Sequence, residues 1–334
     1  MTRRRIRRRW IAVVLACAAT LVSAPAAASD APAFRLQDGE IAESSALVLS
    51  RSDPRLAFTV DDSGDSARVF TVDTRSGETV GVTTLAGVHN VDFEALAFAP
   101  GGRLLIGDIG DNDAERASVQ VHVIDEPGRG DTTTQPRTLV LTYAGGPRDA
   151  EALLVDRGRI FVVSKRLFGG RVYRGPKLNE LAATGIGQPA VLRPVATAPG
   201  MVTDATVLGD GRVVLRSYGA AFVMTSGWDI AQTVLLPPAE LGESIAAPPE
   251  GSWFYAGSEG EGAPVYRIDV RASARSLEEQ AHGQPEPPAA ASEPAGDRDV
   301  VGGLELWAGA GVLLVGLVVG LLGRVGRRPW RRRD

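Results

Sequence analysis

Five segments of the chain open in the same way: Ser45-Ala46-Leu47-Val48-Leu49, Glu94-Ala95-Leu96-Ala97-Phe98, Glu151-Ala152-Leu153-Leu154-Val155, Asp204-Ala205-Thr206-Val207-Leu208 and Glu243-Ser244-Ile245-Ala246-Ala247. Their starts lie 49, 57, 53 and 39 residues apart. Self-similarity at such a period marks a repeat architecture, in which one supersecondary unit buries its apolar faces only against its neighbours. After each opening come a turn and a second strand, at 55–60 (RLAFTV), 103–107 (RLLIG), 159–163 (RIFVV), 212–215 (RVVL) and 253–256 (WFYA). Third strands come next at 67–73, 118–125, 170–174, 220–224 and 264–270, and fourth strands at 79–85, 138–143, 190–195 and 233–236. Four short strands per repeat, divided by turn residues, are the blade pattern of a β-propeller. A β-sandwich does not repeat an internal motif five times.

The expected fold class is therefore all-β, a β-propeller of five four-stranded blades. The fifth repeat lacks a fourth strand of its own. Residues 33–37, ahead of the first repeat, can supply it and close the ring, which removes an exposed strand edge. A sixth, degenerate blade within residues 175–200 is the alternative.

Both chain ends carry targeting signals. Residues 3–9 are rich in arginine, Trp10 to Val22 is apolar, and Ala24-Pro25-Ala26-Ala27-Ala28 offers small residues for a signal peptidase, so residues 1–28 read as a signal peptide. Val14-Leu15-Ala16-Cys17 loosely resembles a lipobox, which leaves a lipoprotein as the alternative. Near the other end, an uncharged run from Leu306 to Leu322 precedes six arginines. Its length suffices to cross the hydrocarbon core as a helix, and the flanking arginines hold that side in the cytoplasm. The expected organisation is a propeller over 33–272, a Pro/Ala/Glu-rich stalk over 273–300, a C-terminal transmembrane helix over 304–323 and a basic cytoplasmic tail over 324–334. The expected location is the cell membrane, with the propeller on the outer face.

Setting the two basic ends aside leaves 24 basic and 38 acidic side chains in residues 29–303, a net charge of −14. Phosphate backbones need the opposite sign, so nucleic acid is excluded as a partner. The single cysteine, Cys17, excludes a disulfide scaffold, and three histidines leave little for a histidine-rich metal centre. There is no Gly-x-Ser-x-Gly elbow and no glycine-rich phosphate loop, so neither an α/β-hydrolase triad nor nucleotide binding is supported.

The acidic openings, together with Asp61-Asp62-Ser63-Gly64-Asp65, Gly107-Asp108-Ile109-Gly110-Asp111-Asn112 and the Val-Tyr-Arg strands, give residues 34–271 a resemblance to secreted bacterial propellers of the type named esterase-like activity of phytase. More distantly, the region is similar to gluconolactonase-like and strictosidine-synthase-like propellers. That resemblance implies a propeller fold and, in related enzymes, a divalent metal, usually calcium, on axial carboxylates.

The first strand of each propeller blade lines the central channel, so Ser45, Glu94, Glu151, Asp204 and Glu243 are expected to converge there. Carboxylates so close raise one another's pKa or recruit a cation, and calcium, an oxygen-seeking ion, fits Glu94, Glu151, Asp204 and Glu243 as ligands. The alternative is that Lys165, Arg166 or Arg216 neutralises them. A second candidate site is the pair of loops holding Asp61, Asp62, Asp65, Asp108, Asp111 and Asp113; neither completes a twelve-residue calcium loop, and Asx turns explain them equally well. These features leave two functions: a membrane-anchored module that binds an extracellular ligand or protein, and a calcium-dependent hydrolase of phytase-like or lactonase-like type.

Overall fold

The computed structural model describes residues 31–62, 66–179, 189–239 and 241–271. The segments expected to form a signal peptide, a stalk from residue 273 onward, a membrane helix and a basic tail lie outside the described residues. Among the described residues, no helix is long and apolar enough to cross a membrane. The described chain is all-β.

It folds as a succession of antiparallel meanders. The first comprises β2 (Ser44–Leu49), β3 (Leu56–Asp61), β4 (Ser66–Asp73) and β5 (Thr79–His89). The second holds β6 (Phe93–Ala99), β7 (Arg103–Asp108), β8 (Val119–Asp125) and β10 (Arg137–Tyr143), with the short β9 (Thr132–Thr134) in the loop before its last strand. The third runs through β11 (Ala150–Asp156), β12 (Arg159–Ser164), β13 (Gly170–Lys177) and β14 (Ala190–Ala198). The fourth is β15 (Val202–Val207), β16 (Val213–Ser217), β17 (Ala220–Met224) and β18 (Ile230–Leu235). The last, β19 (Ile245–Ala246), β20 (Trp253–Ala256) and β21 (Pro264–Asp269), takes its outer strand from the N-terminal side, β1 (Phe34–Arg35). Phe34 pairs with Val265 and Arg35 with Pro264, antiparallel. The first strands pack in a cycle: β2 on β6, β6 on β11, β11 on β15, β15 on β19, and β19 back on β2.

The reason is visible in which face of each strand is buried. Side chains along a strand alternate between faces, and here both faces are covered, so the inner strands read as continuous apolar runs. On β11, Ala150 and Leu153 join a core with Leu105, Val121 and Leu141 of the second meander. Ala152 and Leu154 of the same strand join another with Val202, Ala205 and Leu215 of the fourth. Equivalent cores lie between first and second meanders, around Phe58, Phe93 and Leu96, and between fourth and last, around Val214, Val223 and Phe254. Phe34, Leu36, Leu47, Phe70, Ala246 and Val265 close the cycle between the first and the last. The arrangement is propeller-like.

The outer strands pair in a way the repeat did not reveal. β10 runs parallel to β14, with Leu141 opposite Ala190, and β9 runs parallel to β5, with Thr83 opposite Thr132. These pairings satisfy edge groups that would otherwise template association. They also fix the residue at position 81: a Cβ there would lie 2.7 Å from the Gly130 carbonyl oxygen, so only glycine lets the two segments approach this closely.

Candidate functional site: an acidic axial mouth

Near the start of the first strand in four meanders the ladder register shifts by one residue: between Ser44 and Ala46, Phe93 and Ala95, Ala150 and Ala152, and Val202 and Asp204. The extra residue in each bulge is Ser45, Glu94, Glu151 or Thr203. In the last meander Ile245 faces the core shared with the preceding meander, as Leu47 and Leu153 do, and a Cβ at Gly257 would meet Ser244 as one at Gly107 would meet Ala95, which makes Glu243 the counterpart of Glu94 and Glu151. One of the five expected equivalences is thereby corrected. Asp204 lies one residue past the position that Glu94, Glu151 and Glu243 hold. The fourth repeat carries no Glu-Ala-Leu motif, which leaves its nearest acid as the apparent counterpart; a one-residue slip in a strand moves a side chain to the other face.

Hydroxyl side chains at two of the bulge positions bridge to the next meander. Ser45 Oγ donates to the carbonyl oxygen of Phe93 at 2.7 Å, and Thr203 Oγ1 reaches the carbonyl oxygens of Glu243 and Gly242 at 2.9 and 3.2 Å. Each hydroxyl links its meander to the segment that opens the next. Asp204 does a different job. The side chain is fully buried; its Oδ2 accepts from the Ile245 amide at 2.8 Å and its Oδ1 from the Ala205 amide at 2.7 Å, binding β15 to β19. Burial pushes its carboxyl well above the usual carboxylate range. Arg216, also fully buried, donates through Nη1 to the carbonyls of Ser244 and Gly257, and burial lowers it to about 10 against the pull of Glu243 and Asp204.

Glu94, Glu151 and Glu243 remain together at the axial mouth, each buried. Lys165, immediately after β12, is ion-paired with Glu151 through Nζ and lies over the Tyr218 ring at 5.3 Å. Burial works against this ammonium, but Glu151 and Glu243 outweigh it and hold the charge on Lys165. One cation does not neutralise the group. Glu94 is raised well above its usual value, first by burial and then by Glu151 and Asp92. Asp92 is pushed to about 6 by burial, with Asp62 and Asp149 adding to it. Glu259, on the loop after β20, reaches about 7 by burial and the charges of Glu243 and Asp62.

Asp92, Asp149 and Glu259 were not singled out from the sequence. A signal existed for two of them: Val91-Asp92-Phe93-Glu94 and Arg148-Asp149-Ala150-Glu151 carry the same Asp-x-Glu spacing into the first strand. The charge of Asp92 acts on Glu94 and that of Asp149 on Glu151, so both acids of each pair approach the same mouth.

The aspartate loops lie on this rim too, since Asp61 pairs with Ser44 as Asp108 pairs with Phe93. Their carboxylates are largely occupied within the protein. Asp61 Oδ1 accepts from the Glu43 amide at 3.2 Å. Asp108 Oδ1 stands 2.7 Å from Arg116 Nη2, and Asp111 accepts from the amides of Glu115 and Arg116 at 2.8 and 3.0 Å, closing the loop on itself. Asp113 is exposed, Asp62 is half-buried and adds its charge to that of Asp92, and Asp65 lies outside the described residues. Among the described residues, no three His, Cys, Asp or Glu side chains converge closely enough to hold a metal ion.

No protein-family model matches the chain, and no curated protein does. Among solved structures, it is similar to a chain of a nidogen/laminin complex, at 14% identity and a TM-score of 0.44 over 71% of this chain and 80% of that one. It is also similar to a chain of Kuenenia stuttgartiensis hydrazine synthase, at 15% identity and a TM-score of 0.35 over 66% of this chain and 57% of that one.

Proposed function

We propose that residues 33–272 form a five-bladed β-propeller of the esterase-like phytase type. It is held on the outer face of the cell by the C-terminal span and serves as a module that binds an extracellular ligand or protein. The observation that carries the binding reading is the axial mouth. Glu94, Glu151, Glu243, Asp92 and Asp149 gather there around the Lys165 ammonium. A cluster kept acidic at a cost in stability is what a recognition surface retains and a structural core discards.

The calcium-dependent hydrolase reading would need an ion among these carboxylates. Lys165 already supplies charge to Glu151, which favours binding over metal-assisted hydrolysis. Protease added to intact cells tests the topology, and ester and phosphomonoester substrates supplied with calcium test the chemistry. Release of a soluble domain of the propeller's size without turnover is the expected outcome. A domain protected inside the cell overturns the surface reading, and calcium-dependent turnover abolished by Glu94→Gln overturns the binding reading.

A further inference from the structure

Glu94 is 8% exposed, and its carboxylate accepts no hydrogen bond among the described residues. Lys165 is committed to Glu151, so Glu94 is left without a direct partner among the described residues. A buried carboxylate in that condition costs free energy that a visiting donor can recover.

A second feature surrounds the first. Large apolar side chains are exposed on the same rim: Val91 beside Asp92, Leu241 before Glu243, and Leu167 and Phe168 after Lys165, with Phe168 72% exposed. The tip bearing Phe168 is pinned at its base. The Met201 amide donates to the Arg166 carbonyl at 2.8 Å and the Gly170 amide to that of Pro199 at 3.2 Å. A tethered aromatic loses little conformational freedom when it is covered, which suits an anchor at a protein interface. Phosphate-bearing surfaces are repelled by this mouth, and a bare metal ion leaves the apolar tips uncovered.

We propose that the axial mouth takes a lysine or arginine side chain of an extracellular polypeptide, with the cation reaching Glu94 and flanking apolar residues covering Phe168, Leu167, Val91 and Leu241. This rests on the binding-module reading and names its partner's chemistry. A guanidinium or ammonium supplies the charge-assisted hydrogen bonds that Glu94 lacks, and the net negative charge of the domain steers such a segment to it.

The test is calorimetric titration of the full chain with the blocked peptide acetyl-Gly-Leu-Arg-Leu-Gly-amide and with the same peptide carrying citrulline or glutamate in place of arginine. Binding of the arginine peptide is expected, with about tenfold or greater loss on neutralising the cation as citrulline. Glu94→Gln should weaken it by about tenfold, and Phe168→Ser, at an exposed position that leaves folding intact, by more than about fivefold. Equal binding of the citrulline peptide, or binding unaffected by both variants, overturns the proposal. A preference for the glutamate peptide overturns the cationic class while leaving a binding module standing. No binding of any peptide, together with calcium-dependent turnover, removes both.

Discussion

Lys165 Nζ pairs with Glu151 within one meander, while Glu94, at the same bulge position in the neighbouring meander, accepts no hydrogen bond among the described residues. Two carboxylates in equivalent backbone settings therefore have different electrostatic fates, decided by the residue just past the second strand. Lys165 occupies that place in the third meander and Ile109 in the second.

Removing the cation should expose its worth. Lys165→Met leaves Glu151 buried without a partner, which costs about 3–5 kcal/mol for a broken buried pair. A lower melting temperature at pH 8 is expected, with part of the loss recovered at pH 5, where the orphaned carboxyl takes up a proton. The double variant Lys165→Met with Glu151→Gln should regain most of the stability. An unchanged melting temperature in the single variant would show that the pair contributes nothing.

Stability should fall as pH rises from 5 to 8. Asp92 at about 6 and Glu259 at about 7 hold protons more tightly in the folded than in the unfolded chain. Their stabilising effect is complete below the unfolded carboxylate range and is lost as pH climbs through the folded values. The lowered carboxyls Asp53, Asp73 and Asp210 act only below this window. Calorimetric melting across the range checks this, and Asp92→Asn with Glu259→Gln should flatten the slope; a slope of opposite sign would contradict it.

Ring closure makes a mechanical prediction. Phe34 is buried, meets the Tyr255 ring edge-on at 5.3 Å and pairs with Val265. Phe34→Ala should cost about 3–5 kcal/mol in one cooperative transition, and deleting residues 31–37 should cost more. Two separate transitions, or an unshifted one, would mean that the ends are not coupled.

Asp204 offers an independent check on the corrected register. Its carboxylate accepts from the Ile245 amide and shares full burial with Arg216, whose charge acts on it. Asp204→Ala leaves the Ile245 amide without its acceptor and removes one of the two carboxylates whose charge acts on Arg216, and a loss of about 3–5 kcal/mol is expected without loss of peptide binding. Binding lost in a variant that remains folded would return Asp204 to the mouth.

The repeat was legible because an inner strand buried on both faces needs an apolar run, and a first-strand acid is conspicuous against it. Residues 33–37 were legible as the closing strand because an unpaired edge demanded one. The parallel pairing of β10 with β14 was not, since β propensity says that a segment pairs but not with which neighbour. In the mouth, Glu94 and Glu151 were readable from Glu-Ala-Leu. Asp204 was misplaced because the bulge inserts a residue that residue type alone does not reveal. Asp92 and Asp149 escaped notice because the residues before a strand read as turn formers.

Glu94 is an unmatched buried carboxyl that a cation should complete, and carboxyl-carbon NMR titration of Glu94, assigned through Glu94→Gln, measures this directly. In the free protein its midpoint should stand well above the ordinary glutamate range, and the arginine peptide should lower it while the citrulline peptide leaves it in place. A midpoint in the ordinary range, unmoved by either peptide, would contradict a cation-completed mouth.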